Sequence, residues 1–298
     1  MLWGIDLGGT KIECAVIESS LHHEPVCRER IATEGEQGYA HIISQVVKLV
    51  DKVKLISGLS PETIGIGTPG ALEPSTQLMK NCNTTALIGK PFKADLENAL
   101  GIPVKIANDA NCFALAEAKM GAAHGAVPQA EVVFGIIMGT GVGGGIVVNG
   151  KVINGRHGLG GEWGHNFLDE SGGRCYCGRT GCVETLISGP ALERFYLKKS
   201  GNALHLKDIV KRYEEGGDEI AKETMRHLVT YFGKAVGPVI NIIDPEAIVI
   251  GGGVGNIDIL YTEGVEEVRK YVFNTRLDTL FLKPALGDSA GVFGAAML

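Results

Sequence analysis

The sequence predicts an α/β fold, in which β-strands alternate with α-helices along the chain. Apolar runs of strand length occur throughout, and amphipathic helical stripes separate them. Glycine clusters come directly after three of the predicted strands. The length of 298 residues suggests about two domains at ~150 residues per domain.

The first half is predicted to open with a β-hairpin. An apolar strand over 2–7 ends at Gly8-Gly9-Thr10, and a second strand covers 13–18. The helix that follows has Ile42, Val46 and Leu49 on one face. The later elements of this half are a helix over 38–56, a strand over 63–68, a helix over 93–100, a strand over 104–107, and a helix from Asp109 to about Met120.

The second half is predicted to repeat this strand, glycine turn and strand, over 132–138, 139–145 and 146–148. The two hairpins suggest a duplicated architecture. Pro238 lies inside a long helical pattern and is expected to kink or split it. The remaining elements are helices over 190–199, 206–215 and 219–243, a strand over 247–250, a helix ending near Tyr271, a strand over 280–283 and a helix over 290–298.

Composition narrows the function classes. The chain has 34 acidic and 28 basic residues, and the net charge of −6 argues against broad binding to nucleic acids or anionic membranes. The N-terminus has no basic start or long apolar stretch, so we expect a cytoplasmic protein without a membrane segment. Most histidines, including His22 and His23, have no partner at ligand spacing and are expected to be surface or packing residues.

Glycine is unusually frequent. It accounts for 43 of the 298 residues, a share about twice the usual ~7%. The clusters at Gly8-Gly9, 139–145 and 251–253 would let backbone N–H groups face an anion, and Thr10 and Thr140 would add hydroxyl donors. None fits the P-loop or dinucleotide pattern. Nucleotide phosphates are the favoured ligand, and plain hairpin turns are the alternative. Lys11 could add charge to the first loop or be solvated.

Asn108 and Asp109 stand where a predicted strand ends and a helix opens. Asp109 could be a general base that takes a proton from a substrate hydroxyl. It could also be a helix cap. From these residues alone the cap is the favoured interpretation.

Four potential metal ligands follow the pattern His165-x₉-Cys175-x-Cys177-x₄-Cys182. One imidazole and three thiolates fill a tetrahedral zinc site, which indicates a structural metal, although four unrelated residues are the alternative. Folding of this loop would bring Glu162, His165 and Glu184 together, and these side chains suit sugar hydroxyls. His165 could bind zinc through one ring nitrogen and a ligand through the other.

Several motifs follow one another along nearly the whole chain. They are Asp6-Leu7-Gly8-Gly9-Thr10-Lys11, Gly67-Thr68-Pro69-Gly70, Asn108-Asp109-Ala110-Asn111, Gly139-Thr140-Gly141, Glu162-Trp163-Gly164-His165, Cys175-Tyr176-Cys177-Gly178, Gly181-Cys182-Val183-Glu184 and Gly251-Gly252-Gly253. Together these motifs resemble the ROK family of sugar kinases and repressors. The stretches over 80–85, 161–166, 184–189 and 287–291 are most similar to its bacterial fructokinase/mannokinase branch, followed by the N-acetylglucosamine kinase branch.

The resemblance implies an actin-like ATPase (ribonuclease H-like) fold with two α/β domains and a cleft between them. A smaller domain would comprise 1–107 plus 287–298, and a larger one, with the zinc loop, 108–286. A homodimer is expected.

The resemblance also implies roles for individual residues. Asp109 would be the catalytic base and Asp6 would help to hold Mg²⁺. The zinc ligands would be His165, Cys175, Cys177 and Cys182. The sugar would contact Gly70, Asn83, Asn108, Asp109, Glu162, His165 and Glu184. ATP would contact Gly8, Gly9, Thr10, Lys11, Thr140, Gly141, Gly252 and Gly253.

The implied function is ATP-dependent phosphorylation of a hexose hydroxyl, the 6-OH, by a fructokinase-like enzyme. Alternatives within the family are an N-acetylglucosamine or N-acetylmannosamine kinase and a glucokinase. A sugar-responsive repressor is less favoured, because it needs a DNA-binding module ahead of the phosphate loop and Asp6 is already the sixth residue.

Overall fold

The computed structural model describes residues 1–19 and 24–298, so His22 and His23 lie outside the described residues. The strands are β1 (Leu2–Leu7), β2 (Lys11–Ile17), β3 (Cys27–Ala32), β4 (Ile64–Thr68), β5 (Ala71–Leu72), β6 (Met79–Lys80), β7 (Val104–Asn108), β8 (Val132–Met138), β9 (Val142–Val148), β10 (Lys151–Val152), β11 (Ala247–Gly251) and β12 (Leu280–Leu282). The α-helices are α1 (Tyr39–Ser57), α2 (Phe92–Leu100), α3 (Asp109–Lys119), α4 (Ala122–Ala126), α5 (Glu184–Ile187), α6 (Gly189–Ser200), α7 (Leu206–Glu215), α8 (Glu219–Ile243), α9 (Glu263–Arg269) and α10 (Ala290–Ala296).

The chain forms two compact units. The second unit comprises Glu131–Gly144 and Glu162–Pro284, and the rest of the described chain belongs to the first. These bounds differ from the predicted domains, because α3 belongs to the first unit and not to the second. Cys112 of α3 is buried together with Ala107 of β7 and Ala295 of α10. This shared core holds α3 to β7, which precedes it, and to α10.

The first unit is built on a five-stranded sheet with the strand order β3-β2-β1-β4-β7. β1 pairs antiparallel with β2 and parallel with β4, which in turn pairs parallel with β7. Side chains alternate along β1, so Trp3 and Ile5 pack into a core with α1 while Gly4 lies against α10. A Cβ atom on Gly65 of β4 would lie 1.7 Å from the carbonyl oxygen of Ala295. These glycines therefore let α10 pack directly on the sheet.

The second unit contains the parallel strands β8, β11 and β12, and β9 begins there. α8 covers 25 residues without a break, so the expected split at Pro238 is wrong. Pro238 is exposed, and the backbone hydrogen bond that proline cannot make therefore lies on the solvent side of the helix.

Three further differences concern where elements begin, which type they are and whether they were predicted. β9 begins at Val142, so only 139–141 form the turn that was predicted over 139–145. The segment before Tyr271 consists of two 3₁₀ turns and the short α9 in place of one helix. β3 was not predicted, because Arg28, Glu29 and Arg30 conceal its apolar residues in the sequence. Among the described residues, no helix combines the length and the apolar character needed to cross a membrane.

Candidate functional site

The β7–α3 junction positions the predicted catalytic aspartate. Asp109 is the first residue of α3, and Asn108 is its N-cap, whose Oδ1 accepts a hydrogen bond from the N–H of Ala110 at 2.9 Å. The N-cap is therefore Asn108, whose backbone is extended, and not Asp109 as predicted, because Asp109 is already helical. Oδ1 of Asp109 also accepts from the N–H of Ala110, at 2.8 Å. Asn108 also donates from Nδ2 to the carbonyl oxygen of Gly70 at 3.2 Å.

Two carboxylates of the first unit influence each other. Burial raises the pKa of Asp6, at the end of β1, to about 6, and the neighbouring charges of Asp109 and Glu13 add to this effect. Asp109 is accessible to solvent but closely surrounded by protein atoms, and this desolvation raises its pKa. A Cβ atom on Gly291 would lie 3.0 Å from Oδ2 of Asp6, so α10 also closely approaches that carboxylate. The pair forms a local excess of negative charge that a cation would relieve.

The first glycine loop is a tight hairpin turn. The N–H of Gly8 donates to the carbonyl oxygen of Lys11 at 2.9 Å, and Thr33 donates from Oγ1 to the carbonyl oxygen of Gly8 at 2.7 Å. Gly9, Thr10 and Lys11 are exposed at the tip. The loop is thus held at its base and leaves its tip open to a ligand.

The other predicted sugar-binding residues of the first unit lie after β4 and β6. Gly70 has φ +90°, and a Cβ atom there would lie 2.5 Å from the carbonyl oxygen of Lys80. Only glycine fits this close approach. Asn83 is exposed on the turn that follows β6.

In the second unit, Glu184 meets the second glycine loop. Its Oε2 accepts a hydrogen bond from the N–H of Val142 at 3.0 Å, and a Cβ atom on Gly141 would lie 2.7 Å from the same oxygen. The carbonyl oxygen of Gly139 accepts from the N–H of Gly189 at the start of α6. These contacts fix the loop and leave Thr140 exposed. The structure thus brings Glu184 to a loop for which it was not predicted.

The third glycine cluster lies at the end of β11. Gly252 has φ +81°, and a Cβ atom there would lie 2.2 Å from the carbonyl oxygen of Met138. Gly252 and Gly253 are both exposed. Glycine is therefore required at position 252 for backbone reasons alone.

The four predicted metal ligands come together in one loop of the second unit. The potential ligand atoms of His165, Cys175, Cys177 and Cys182 all lie within 4.8 Å of one another. Nδ1 of His165 is 3.5 Å from Sγ of Cys175, and the Sγ atoms of Cys177 and Cys182 are 3.6 Å apart.

The spacing of these atoms fits zinc. A tetrahedron with Zn–S bonds of about 2.3 Å has an edge of about 3.8 Å, close to the observed separations. Burial raises the pKa of the Cys182 thiol to about 12, so metal binding there has to release a proton. A donor set of three thiols and one imidazole is also one that zinc prefers.

The second ring nitrogen of His165 has a protein partner. Its Nε2 is 2.9 Å from the hydroxyl of Tyr176, and the two rings meet edge to face. Glu162 lies half-buried just before the 3₁₀ turn Trp163–His165. Trp163 anchors this turn by donating from Nε1 to the carbonyl oxygen of Gly143 at 2.9 Å.

Sequence reasoning did not identify Thr33, Tyr176 or Gly291 as part of these arrangements. Thr33 and Gly291 carry no local signal, because they meet Gly8 and Asp6 only through tertiary packing. Tyr176 stands between two of the cysteines, and that position alone could have identified it.

The fold and these residues define an α/β protein of the actin-like ATPase type, as predicted. The chain belongs to the ROK family, whose model matches residues 2–298. It is 36% identical over 309 aligned positions to the N-acetyl-D-glucosamine kinase of Pasteurella multocida, with 100% of this chain and 99% of that protein covered.

Solved structures agree with this assignment. The ROK hexokinase from Thermus thermophilus matches with a TM-score of 0.88 and 31% identity, covering 99% of this chain and 96% of that one. A ROK glucokinase from Streptomyces griseus, solved in complex with glucose and AMPPNP, matches with a TM-score of 0.77 and 27% identity, covering 99% and 97%.

Proposed function

We propose that this protein is an ATP-dependent sugar kinase whose substrate is N-acetyl-D-glucosamine. The observation that carries the catalytic part is the accessible carboxylate of Asp109 at the first turn of α3, beside the carboxylate of Asp6. The full-length similarity to the Pasteurella N-acetyl-D-glucosamine kinase supports the substrate, and favours this alternative over the fructokinase-like activity that the sequence motifs suggested. The structure of the glucokinase with glucose and AMPPNP supports a sugar and a nucleoside triphosphate as the two ligands of this protein.

In this mechanism the oxygen of the sugar 6-OH bonds to the γ-phosphorus of ATP, and the bond from that phosphorus to the β–γ bridging oxygen breaks, which releases ADP. Asp109 accepts the proton of the hydroxyl. Asn108, fixed between Gly70 and the first turn of α3, holds the base in place. Asn83, Glu162 and Glu184 are proposed to contact sugar hydroxyls. His165 is proposed to do so through Nε2, with the sugar hydroxyl replacing the hydroxyl of Tyr176. Catalysis consists mainly of positioning and charge neutralisation.

The exposed glycine loops are proposed to bind the nucleotide. Gly8, Gly9, Thr10 and Lys11 offer N–H, hydroxyl and ammonium donors to the phosphates, and Thr140 and Gly141 offer the same from the second loop. Gly252 and Gly253 are proposed to lie against the adenosine. Asp6 would hold Mg²⁺, which when bound neutralises phosphate charge.

We also propose that His165, Cys175, Cys177 and Cys182 hold a structural zinc ion. All four tetrahedral positions are then filled by protein atoms, which leaves none for a substrate. The ion would fix the loop that carries the proposed sugar-binding residues Glu162 and His165.

A coupled ADP-release assay with a panel of sugars tests this proposal. We expect the highest kcat/KM with N-acetylglucosamine, and lower values with N-acetylmannosamine, glucose and fructose. A higher kcat/KM with fructose would restore the fructokinase interpretation. Release of ADP with none of these sugars would refute the kinase function.

A further inference from the structure

The first unit contains a cavity of about 640 Å³, a size typical of sites for small ligands. It lies along β7, which is one edge strand of the sheet. Leu72, Ile106 and Leu115 form the apolar part of its wall. Asp6, Asp109 and the glycine loop at 8–11 do not line it. The cavity therefore does not include the proposed base or the first glycine loop, while Asn108, next to the base, lines it.

The charge around this cavity is positive. Lys93, Lys105, Lys119 and Lys151 all line it, and no aspartate or glutamate does. Lys93 has Glu97 at 3.8 Å, and Lys105 donates to the main-chain oxygen of Leu298 at 2.5 Å. Within residues 1–19 and 24–298, Lys119 and Lys151 form no ion pair. Two ammonium groups are thus available to an anion.

The cavity wall also contains a buried polar atom without a partner. Asn111 on α3 is 3% exposed, and its Oδ1 accepts no hydrogen bond from the described residues. A buried acceptor of this kind costs free energy unless a ligand or a water molecule donates to it. A ligand that binds here therefore gains from carrying a hydroxyl or N–H donor.

We propose that this cavity binds a small phosphate ester that carries hydroxyl groups, the class to which sugar phosphates belong. The phosphate contacts Lys119 and Lys151, and a hydroxyl donates to Oδ1 of Asn111. The ligand thereby touches α3 two residues beyond Asp109. The choice of a sugar phosphate among such esters rests on the proposed function, since it is the product of that reaction.

Calorimetric titration with N-acetylglucosamine 6-phosphate tests the inference. Saturating N-acetylglucosamine is present so that the proposed substrate site is occupied. The double variant Lys119→Met/Lys151→Met should bind the ester at least about tenfold more weakly than the wild type, because two charge-assisted hydrogen bonds are lost. Lys211→Met, at an exposed lysine of α7, is the matched control and should bind as the wild type does.

Two further measurements keep the test decisive. Asn111→Leu should also weaken binding, and the lysine variant decides alone if this core substitution does not fold. Inorganic phosphate should bind more weakly than the ester, and equal binding would overturn the assignment of a hydroxylated ligand. Unchanged affinity in the lysine variant would overturn the site. The titration needs no turnover, so its result is independent of whether the kinase assay succeeds.

Discussion

Asp109 combines two properties at the level of a single residue. It stands at the N-terminus of α3, where the helix dipole favours its negative charge, and desolvation raises its pKa. The first effect favours the ionised form, and the second makes that carboxylate a stronger proton acceptor than an ordinary aspartate. Asn108 is held by its hydrogen bonds with Ala110 and Gly70, and Oδ1 of Asp109 also accepts from the N–H of Ala110 at 2.8 Å.

Replacement of the proposed base should separate sugar binding from phosphoryl transfer. We expect Asp109→Asn to lower kcat by roughly 10²–10⁴-fold while the dissociation constant for the sugar changes little, because the amide keeps the shape but cannot accept the proton. Steady-state kinetics and calorimetry measure the two quantities. Asp51→Asn, on the exposed face of α1, is the control. A kcat equal to that of the wild type would show that another group is the base.

At the scale of elements, the proposed metal loop, residues 165–182, is organised by short turns and lies outside the regular helices and strands. His165, Cys175 and Cys182 approach one another because short turns reverse the chain between them. Tyr231 of α8 meets Ser171 of the same loop through their hydroxyls, 3.1 Å apart. The loop is thus attached to the second unit, and a metal ion would complete its folding.

Removal of one ligand should release the proposed zinc. We expect elemental analysis to find one zinc per chain in the wild type and little in Cys177→Ser. Sugar affinity should also fall, because Glu162 and His165 lose their support. Cys27→Ser, in β3, is the matched control and should retain its metal. Wild-type protein without zinc would contradict the assignment.

The N-terminus of α8 joins three helices through one side chain. Asp218 accepts hydrogen bonds from the N–H groups of Ile220 and Ala221 and from the hydroxyl of Tyr196, and Arg212 lies within 3.4 Å. The tyrosine hydroxyl and these N–H donors lower the pKa of Asp218. The charged form is therefore favoured in the folded state.

Loss of this cap should destabilise the protein in a pH-dependent way. Asp218→Ala should lower the free energy of unfolding by about 1–3 kcal/mol at pH 7. Because the folded pKa is below the unfolded value near 3.8, this stabilisation is present above that pH and is lost as pH falls through the folded pKa. Urea unfolding at neutral and acidic pH measures the difference. A difference from the wild type that does not shrink in acid would contradict this account, and Asp51→Ala should cost under about 0.5 kcal/mol at either pH.

At the scale of the whole molecule, one buried carboxylate connects segments of the first unit that are far apart in the sequence. Glu117 on α3 is fully buried and accepts hydrogen bonds from the N–H groups of Ala122, Ala285 and Leu286. A Cβ atom on Gly121 would lie 2.1 Å from its Oε2, so glycine is needed beside it. The segment that leads into α10 is thereby fixed to α3.

Substitution of Glu117 should affect global stability. Glu117→Ala leaves three N–H groups without their buried acceptor, and we expect the free energy of unfolding to fall by about 3–5 kcal/mol. Glu117→Gln keeps the shape and one acceptor oxygen, so its loss should be smaller. Urea denaturation of both variants checks this order, and an alanine variant as stable as the wild type would show that the contact contributes nothing.

The sequence by itself determined the order and type of most elements, since apolar periodicity and glycine or proline boundaries are local. It predicted β1, β8, α7 and α8 with their observed bounds, and it singled out the four residues that meet in the metal loop. It concealed β3, because Arg28, Glu29 and Arg30 form a charged run, and only the pairing with β2 brings both arginines to Glu13.

Only the tertiary structure decided which polar groups meet across long stretches of chain. The sequence could not show that Glu117 accepts from an N–H 168 residues away, that Glu184 contacts the loop at Val142, or that Asn108 caps α3 in place of Asp109. Periodicity shows which face of an element is buried. The partner of a buried carboxylate or N–H group depends on how helices and strands pack, and every such group needs one.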